Sequence, residues 1–186
     1  MIFVLAAVVS GFILVEARRA GRNERMQRRR GGLEPPGDAP VFAAMRLAYP
    51  AAFASMLVEG AQRGSHPAAF VAGAALYAAA KALKWWAILA LGPAWTFRVI
   101  VVPDAPLVRS GPYRYLRHPN YVGVFGELVG MALMCGARLA GPIATVAFSG
   151  LMCRRAIVEQ RALAAAGERE DTSGYREDTS DIMRPR

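Results

Sequence analysis

The sequence predicts an all-α integral membrane protein with about five transmembrane helices; composition, block structure and charge placement carry that reading. Of 186 residues, 54% are hydrophobic, yet the formal net charge is +9. The apolar residues fall in blocks near the roughly 20 residues that a spanning helix needs. Arginine supplies 21 of the 23 basic residues and sits mainly between those blocks, as in bilayer proteins whose basic loops face anionic headgroups. A soluble nucleic-acid binder would instead gather its basic side chains on a surface with a separate core, so nucleic acid is not an expected partner.

The first block, Ile2 to Val15, has no basic residue ahead of it and is followed by Glu16-Ala17-Arg18-Arg19. A retained span over Met1 to Ala17 is therefore expected rather than a cleaved signal peptide. Pro35, Pro36, Gly37 and Pro40 make 31–40 a turn or loop. The second span is expected over Val41 to Gly60, carrying Arg46, Pro50 and Glu59, and the third over the alanine-rich Pro67 to Leu91, with Lys81, Lys84, Trp85 and Trp86. The fourth, Asn120 to Cys135, and the fifth, Leu139 to Cys153, are short and share the link Gly136-Ala137-Arg138, so a tilted or tight hairpin is expected.

Residues 1–163 are expected to form one membrane domain. Residues 164–186 read as a polar, disordered or loosely attached tail in which Arg-Glu-Asp-Thr-Ser occurs at 169–173 and again at 176–180. Cys135 and Cys153 fall near opposite ends of one helical hairpin, so neither a disulfide nor a metal site is expected.

Positive charge is retained on the cytoplasmic side. The first connection carries seven arginines between Arg18 and Arg30, the third carries Arg98, Arg109, Arg114 and Arg117, and Arg154, Arg155 and Arg161 follow the last span. The second and fourth hold only Arg63 and Arg138. This alternation places the N-terminus outside and the C-terminus in the cytoplasm. Ionisable residues within spans are costly and usually paired or turned to a cavity. Glu127, Glu59 and Arg46 are thus candidates to line a lipid-access tunnel, with snorkelling from span ends an equal account of the last two. His66 reads as a solvated loop residue.

The connection from Trp95 to Gly123 is long for so small a membrane protein, and long connections are often functional. It holds a turn at Ser110-Gly111-Pro112, aromatic side chains, and His118 directly before Pro119, which favours the first turn of a helix. The start of that helix offers backbone N–H groups and a positive dipole end to an anionic group such as a carboxylate. On composition alone, an interfacial aromatic belt with topogenic arginines explains the same residues.

The string Gly111-Pro-Tyr-Arg-Tyr-Leu-Arg-His-Pro-Asn-Tyr-Val-Gly123, with Arg155-Ala-Ile-Val-Glu159-Gln160-Arg161 on the last helix, resembles the signature of the isoprenylcysteine carboxyl methyltransferase family of membrane enzymes. Asn23-Glu24-Arg25, Lys84-Trp85-Trp86, Leu91-Gly92, Trp95-Thr96 and Val101-Val102-Pro103 are similar to a bacterial subgroup, the alkylpyrone and alkylresorcinol O-methyltransferases. The resemblance implies S-adenosylmethionine as cofactor, contacted by Leu107, Val108, Tyr113, His118, Pro119, Asn120, Tyr121 and Glu159. It also implies Arg155 facing the substrate. A spacing of four puts Arg155 and Glu159 on one helix face, where a plain intrahelical ion pair is the competing account. Many family members have two adjacent glutamates where this chain has Glu159 and Gln160, so a second carboxylate is missing.

The expected reaction is methylation of a lipophilic small molecule that reaches the site from the lipid bilayer, in a bacterial inner membrane with the site facing the cytoplasm. A hydroxyl of an alkylpyrone or alkylresorcinol is the leading acceptor, and a prenylcysteine-like carboxylate the alternative. An acidic enol arrives ionised; a plain phenol needs a base, and His118 is the imidazole in the right region, which makes it and Arg155 the catalytic candidates. A non-catalytic lipid-binding protein is a further alternative. A transporter is disfavoured by the lack of internal repeats and paired broken spans.

Overall fold

The computed structural model describes residues 2–103, 105, 106 and 108–182, with 166–182 described as backbone only. Among these residues the protein is helical and without strands. Five α-helices follow one another: α1 (Ile2–Arg29), α2 (Asp38–Arg63), α3 (Pro67–Leu91), α4 (Pro119–Cys135) and α5 (Ala140–Ile182), with short 3-10 turns at Gly92–Ala94 and Gly111–Arg114. Each expected block lies in its own helix. By length and composition α2 and the stretch Pro67–Ala94 are apolar enough to cross a membrane.

The helices outrun their apolar blocks. α1 continues past Ala17 to Arg29 because arginine, glutamate and glutamine are good helix formers and because its far end is anchored. The Asn23 amide donates to the carbonyls of Gly92 at 3.0 Å and Trp95 at 2.8 Å, and the Gln27 amide to that of Pro93 at 2.8 Å. Leu33 and Val101 exchange two backbone hydrogen bonds of 2.9 Å, which ties the proline-rich loop to the segment after α3. Glu34 adds ion pairs to Arg28 at 2.8 Å and Arg98 at 2.6 Å.

α3 and α4 pack antiparallel through small residues. A Cβ built on Gly130 would sit 2.8 Å from the carbonyl oxygen of Gly73; one on Gly126 would sit 2.8 Å from the Ala80 Cβ, and one on Gly123 would sit 2.9 Å from the Lys84 Cβ. Such close backbone approach is how helices gain van der Waals contact in lipid, where burial of apolar surface supplies little. It also fixes the start of α4, Pro119 to Tyr121, beside the end of α3.

The core runs through the middle of the bundle around Phe53, Met56, Leu128, Met131 and Phe148. At its level lies a buried ionic cluster. Glu16 of α1 accepts from Lys81 at 2.9 Å and Lys84 at 2.7 Å of α3, while Glu127 of α4 pairs with Lys81 at 2.8 Å and Lys84 at 3.3 Å and accepts from the Tyr49 hydroxyl of α2. Glu127 is thus committed to ion pairs between helices rather than lining a lipid-access tunnel. Charges buried in apolar surroundings persist only when paired in this way.

The two ends of the bundle differ. One gathers the second and fourth connections, where Glu59 accepts from the N–H groups of Arg138, Leu139 and Ala140, the last at 2.7 Å. Neither a tunnel lining nor a snorkelling charge, Glu59 caps the otherwise unpaired first N–H groups of α5. The other end gathers the first and third connections and residues 155–160 of α5.

Candidate active site

At this second end, Gly111 has φ 60° and stands where a Cβ would lie 2.9 Å from that of Ala90 and 3.1 Å from the Trp86 indole nitrogen. A side chain is excluded there by both backbone and space, and the turn Gly111–Arg114 is thereby pressed onto the end of α3. It carries Tyr113, whose hydroxyl is pushed to high pKa by burial first and by the negative charge of Glu159 second. Tyr113 therefore stays a neutral phenol at any working pH.

Pro119, fully buried, opens α4 with His118 at the cap. The N–H groups of Tyr121 and Val122 both donate to the His118 carbonyl, at 3.0 and 3.3 Å, leaving the Asn120 N–H without a backbone acceptor among the described residues. The Asn120 side-chain oxygen is buried and likewise lacks a partner among the described residues. The helix start thus presents one backbone donor and one acceptor rather than a row of free N–H groups.

From α5, Glu159 accepts from the Tyr121 hydroxyl at 3.2 Å and lies 3.9 Å from His118 Nδ1. The His118 and Tyr121 rings stack at 5.1 Å and 9°. Gln160 places its amide nitrogen 3.4 Å from His118 Nε2. If the amide donates there, the ring proton resides on Nδ1, toward Glu159.

Arg155, one turn before Glu159, is buried at 8% exposure and, among the described residues, forms no ion pair with Glu159. Its charge acts instead on the Tyr121 hydroxyl and the Asp38 carboxylate. Tyr113, His118, Pro119, Asn120, Tyr121, Arg155 and Glu159 therefore lie at the same end of the bundle. Val108 is half-buried in the irregular segment before the turn, and Leu107 lies outside the described residues.

Asp38 had no place in the sequence reading. It is wholly buried at the start of α2, accepts from the Val99 N–H at 3.0 Å through one oxygen, and leaves the other without a partner among the described residues. The one signal in the sequence was an acid directly after Pro-Pro-Gly, a common helix-start composition with no chemical specificity.

A helical bundle with apolar spans and a tyrosine, histidine and glutamate cluster at one end defines a membrane protein with a polar site beside the bilayer. The model of the isoprenylcysteine carboxyl methyltransferase family matches residues 73–165, half of the chain and all of this cluster, and the chain belongs to that family of membrane methyltransferases. An uncharacterized protein of Bacillus subtilis (strain 168), YpbQ, is 27% identical over 165 residues, 88% of this chain and 96% of that protein. An uncharacterized protein of Haemophilus influenzae is 31% identical over 87 residues, 46% of this chain and 51% of its own. No solved structure matches.

Proposed function

We propose that the protein is an S-adenosylmethionine-dependent O-methyltransferase that acts on a lipophilic substrate, with a hydroxyl of an alkylpyrone or alkylresorcinol as acceptor. The observation that carries the reading is the joining of Tyr121, Glu159, His118 and Gln160 across α4 and α5. The distribution of arginine supports placing this end of the bundle in the cytoplasm, at a bacterial inner membrane.

The residues present fit the cofactor. Glu159 supplies negative charge for a sulfonium or an ammonium, Asn120 an unpartnered buried oxygen for an amine or hydroxyl donor, and the Asn120 N–H a donor at the positive end of α4 for a carboxylate. Bound there, S-adenosylmethionine would supply an electrophilic methyl group, whose transfer to oxygen leaves the bonding electrons on sulfur.

The remaining roles fall to this chain's own side chains. Arg155, buried and without an ion pair among the described residues, holds an oxyanion in place. His118 receives the proton of a neutral hydroxyl only when Gln160 releases Nε2. An acceptor that arrives ionised needs no such step, which favours an acidic enol or a phenolate over an alcohol. Tight positioning in a site shielded from water then contributes more than acid–base strength. The residues behind the subgroup likeness, Asn23, Glu24, Trp95 and Val101, tie the end of α1 and the loop after it to the segment after α3, so the acceptor assignment rests on Arg155.

Purified protein in nanodiscs, given methyl-labelled S-adenosylmethionine, should label long-chain alkylresorcinols or alkylpyrones far better than short-chain analogues, since each buried methylene contributes about 0.8 kcal/mol. Glu159→Gln should weaken cofactor binding by about 1.5 to 3 kcal/mol. Unchanged affinity would make Glu159 structural. Turnover of farnesylcysteine with none on any alkylated ring would establish the prenylcysteine alternative, and cofactor binding without any transfer would leave a lipid-binding protein.

A further inference from the structure

We propose that a groove between α1 and the end of α3 is a binding site for the anionic headgroup of a membrane phospholipid. The groove encloses about 740 Å³, and no residue of the candidate active site lines it. Its wall is α1, where Arg18, Arg22, Arg25 and Arg29 recur at spacings of four, three and four and so share one helix face. They span about 16 Å along the helix at 1.5 Å per residue. Among the described residues none of the four forms an ion pair, whereas Arg28, on another face, is taken up by Glu24 and Glu34.

The opposite wall is held rigid, because the turn at Gly92 and Pro93 accepts the Asn23 and Gln27 hydrogen bonds. Trp85 lines the groove, and its indole nitrogen is buried without a partner among the described residues. Its ring supplies an apolar, aromatic wall beside the arginines.

The choice of a lipid over a free oxyanion follows from the groove's other lining. Val15 and Met26 flank the arginines, and Val15 is 48% exposed. From there an apolar strip continues down α1 through the exposed Val8, Val4 and Phe3. A phosphodiester would meet the guanidinium groups while its acyl chains lie along that strip. Inorganic phosphate would use the arginines and leave the apolar wall wet. Basic pockets where spanning helices meet the headgroup layer are suited to anionic lipids.

The test uses the full-length protein in phosphatidylcholine nanodiscs doped with phosphatidylglycerol, read by native mass spectrometry for retained lipid. Wild type should hold phosphatidylglycerol in preference to phosphatidylcholine. Arg22→Gln/Arg25→Gln should weaken retention on the order of tenfold, since each basic residue near an anionic surface contributes on the order of 1 kcal/mol. The charge-matched control Arg63→Gln/Arg138→Gln, at the other end of the bundle, should retain it. Trp85 fluorescence should respond to phosphatidylglycerol and not to millimolar inorganic phosphate. Equal loss in both double variants, an equal response to inorganic phosphate, or no lipid preference in wild type would each overturn the proposal. None of these readouts depends on methyl transfer.

Discussion

Lys84 of α3 reaches Glu16 of α1 at 2.7 Å, and the side chains are 3% and 1% exposed. Sixty-eight residues separate them in sequence, and Lys81, Glu127 and Tyr49 complete a cluster to which α1, α2, α3 and α4 each contribute. Two lysines and two glutamates balance in charge. The pairs specify which faces of these helices meet, because any other rotation would leave a charge unpaired in an apolar interior.

Glu16→Gln should therefore lower stability by about 3 to 5 kcal/mol, the usual loss when one member of a buried pair is removed. Glu16→Gln combined with Lys84→Met should cost clearly less than the sum of the single changes. Thermal unfolding in a mild detergent measures both. Additive losses would mean that the two residues do not act as a pair.

The glycine seam makes a separate forecast. Gly130→Ala forces a Cβ to within 2.8 Å of backbone atoms of α3 and should cost about 1 to 3 kcal/mol through displaced helices. Gly150→Ala meets nothing within 4 Å and should be neutral or stabilising by up to about 1 kcal/mol, since alanine is the better helix former. Equal effects of the two substitutions on the melting temperature would refute the close approach of α3 and α4.

Glu59 links α2 to the start of α5 through three backbone N–H groups. Glu59→Ala should lower the melting temperature, as loss of a helix cap does, and Glu59→Gln by less because an acceptor remains. Protease cleavage near Arg138 provides a local readout. Cleavage no faster than wild type in Glu59→Ala would show that the cap does not secure this turn.

Glu34 carries a pH dependence. Burial opposes its ionisation, but the hydrogen bonds and charges of Arg28 and Arg98 outweigh it and hold the carboxyl below its ordinary value of 4.5. A depressed folded pKa gives stability that is present above the unfolded value and lost as pH falls through the folded one. Wild type should thus melt higher than Glu34→Gln at pH 7, with the gap closing once pH drops below about 4.5. A gap that does not narrow as pH falls below 4.5 would assign the stabilisation to shape rather than charge.

The sequence by itself determined the helical class and the two long apolar runs of α2 and α3, because lipid tolerates no unpaired backbone and so favours long apolar helices that can be read directly. The string from Gly111 to Gly123 pointed to Tyr113, His118, Asn120 and Tyr121 through its resemblance to the family signature, which is readable because these residues lie close together in the chain. Arg155 and Glu159 stood out through the likeness of 155–161 to the family signature, while their spacing of four said only that they share a helix face. Only the tertiary structure decided what these residues face. Asp38 with Val99, Gln160 against His118, and Glu16 with Lys81 and Lys84 are contacts between distant segments, and local composition carries no record of them. The same holds for Glu59, which as a charge near a span end looks like a snorkelling side chain. It becomes a cap only because α4 and α5 fold their turn against it, where the unpaired N–H groups of a new helix require an acceptor.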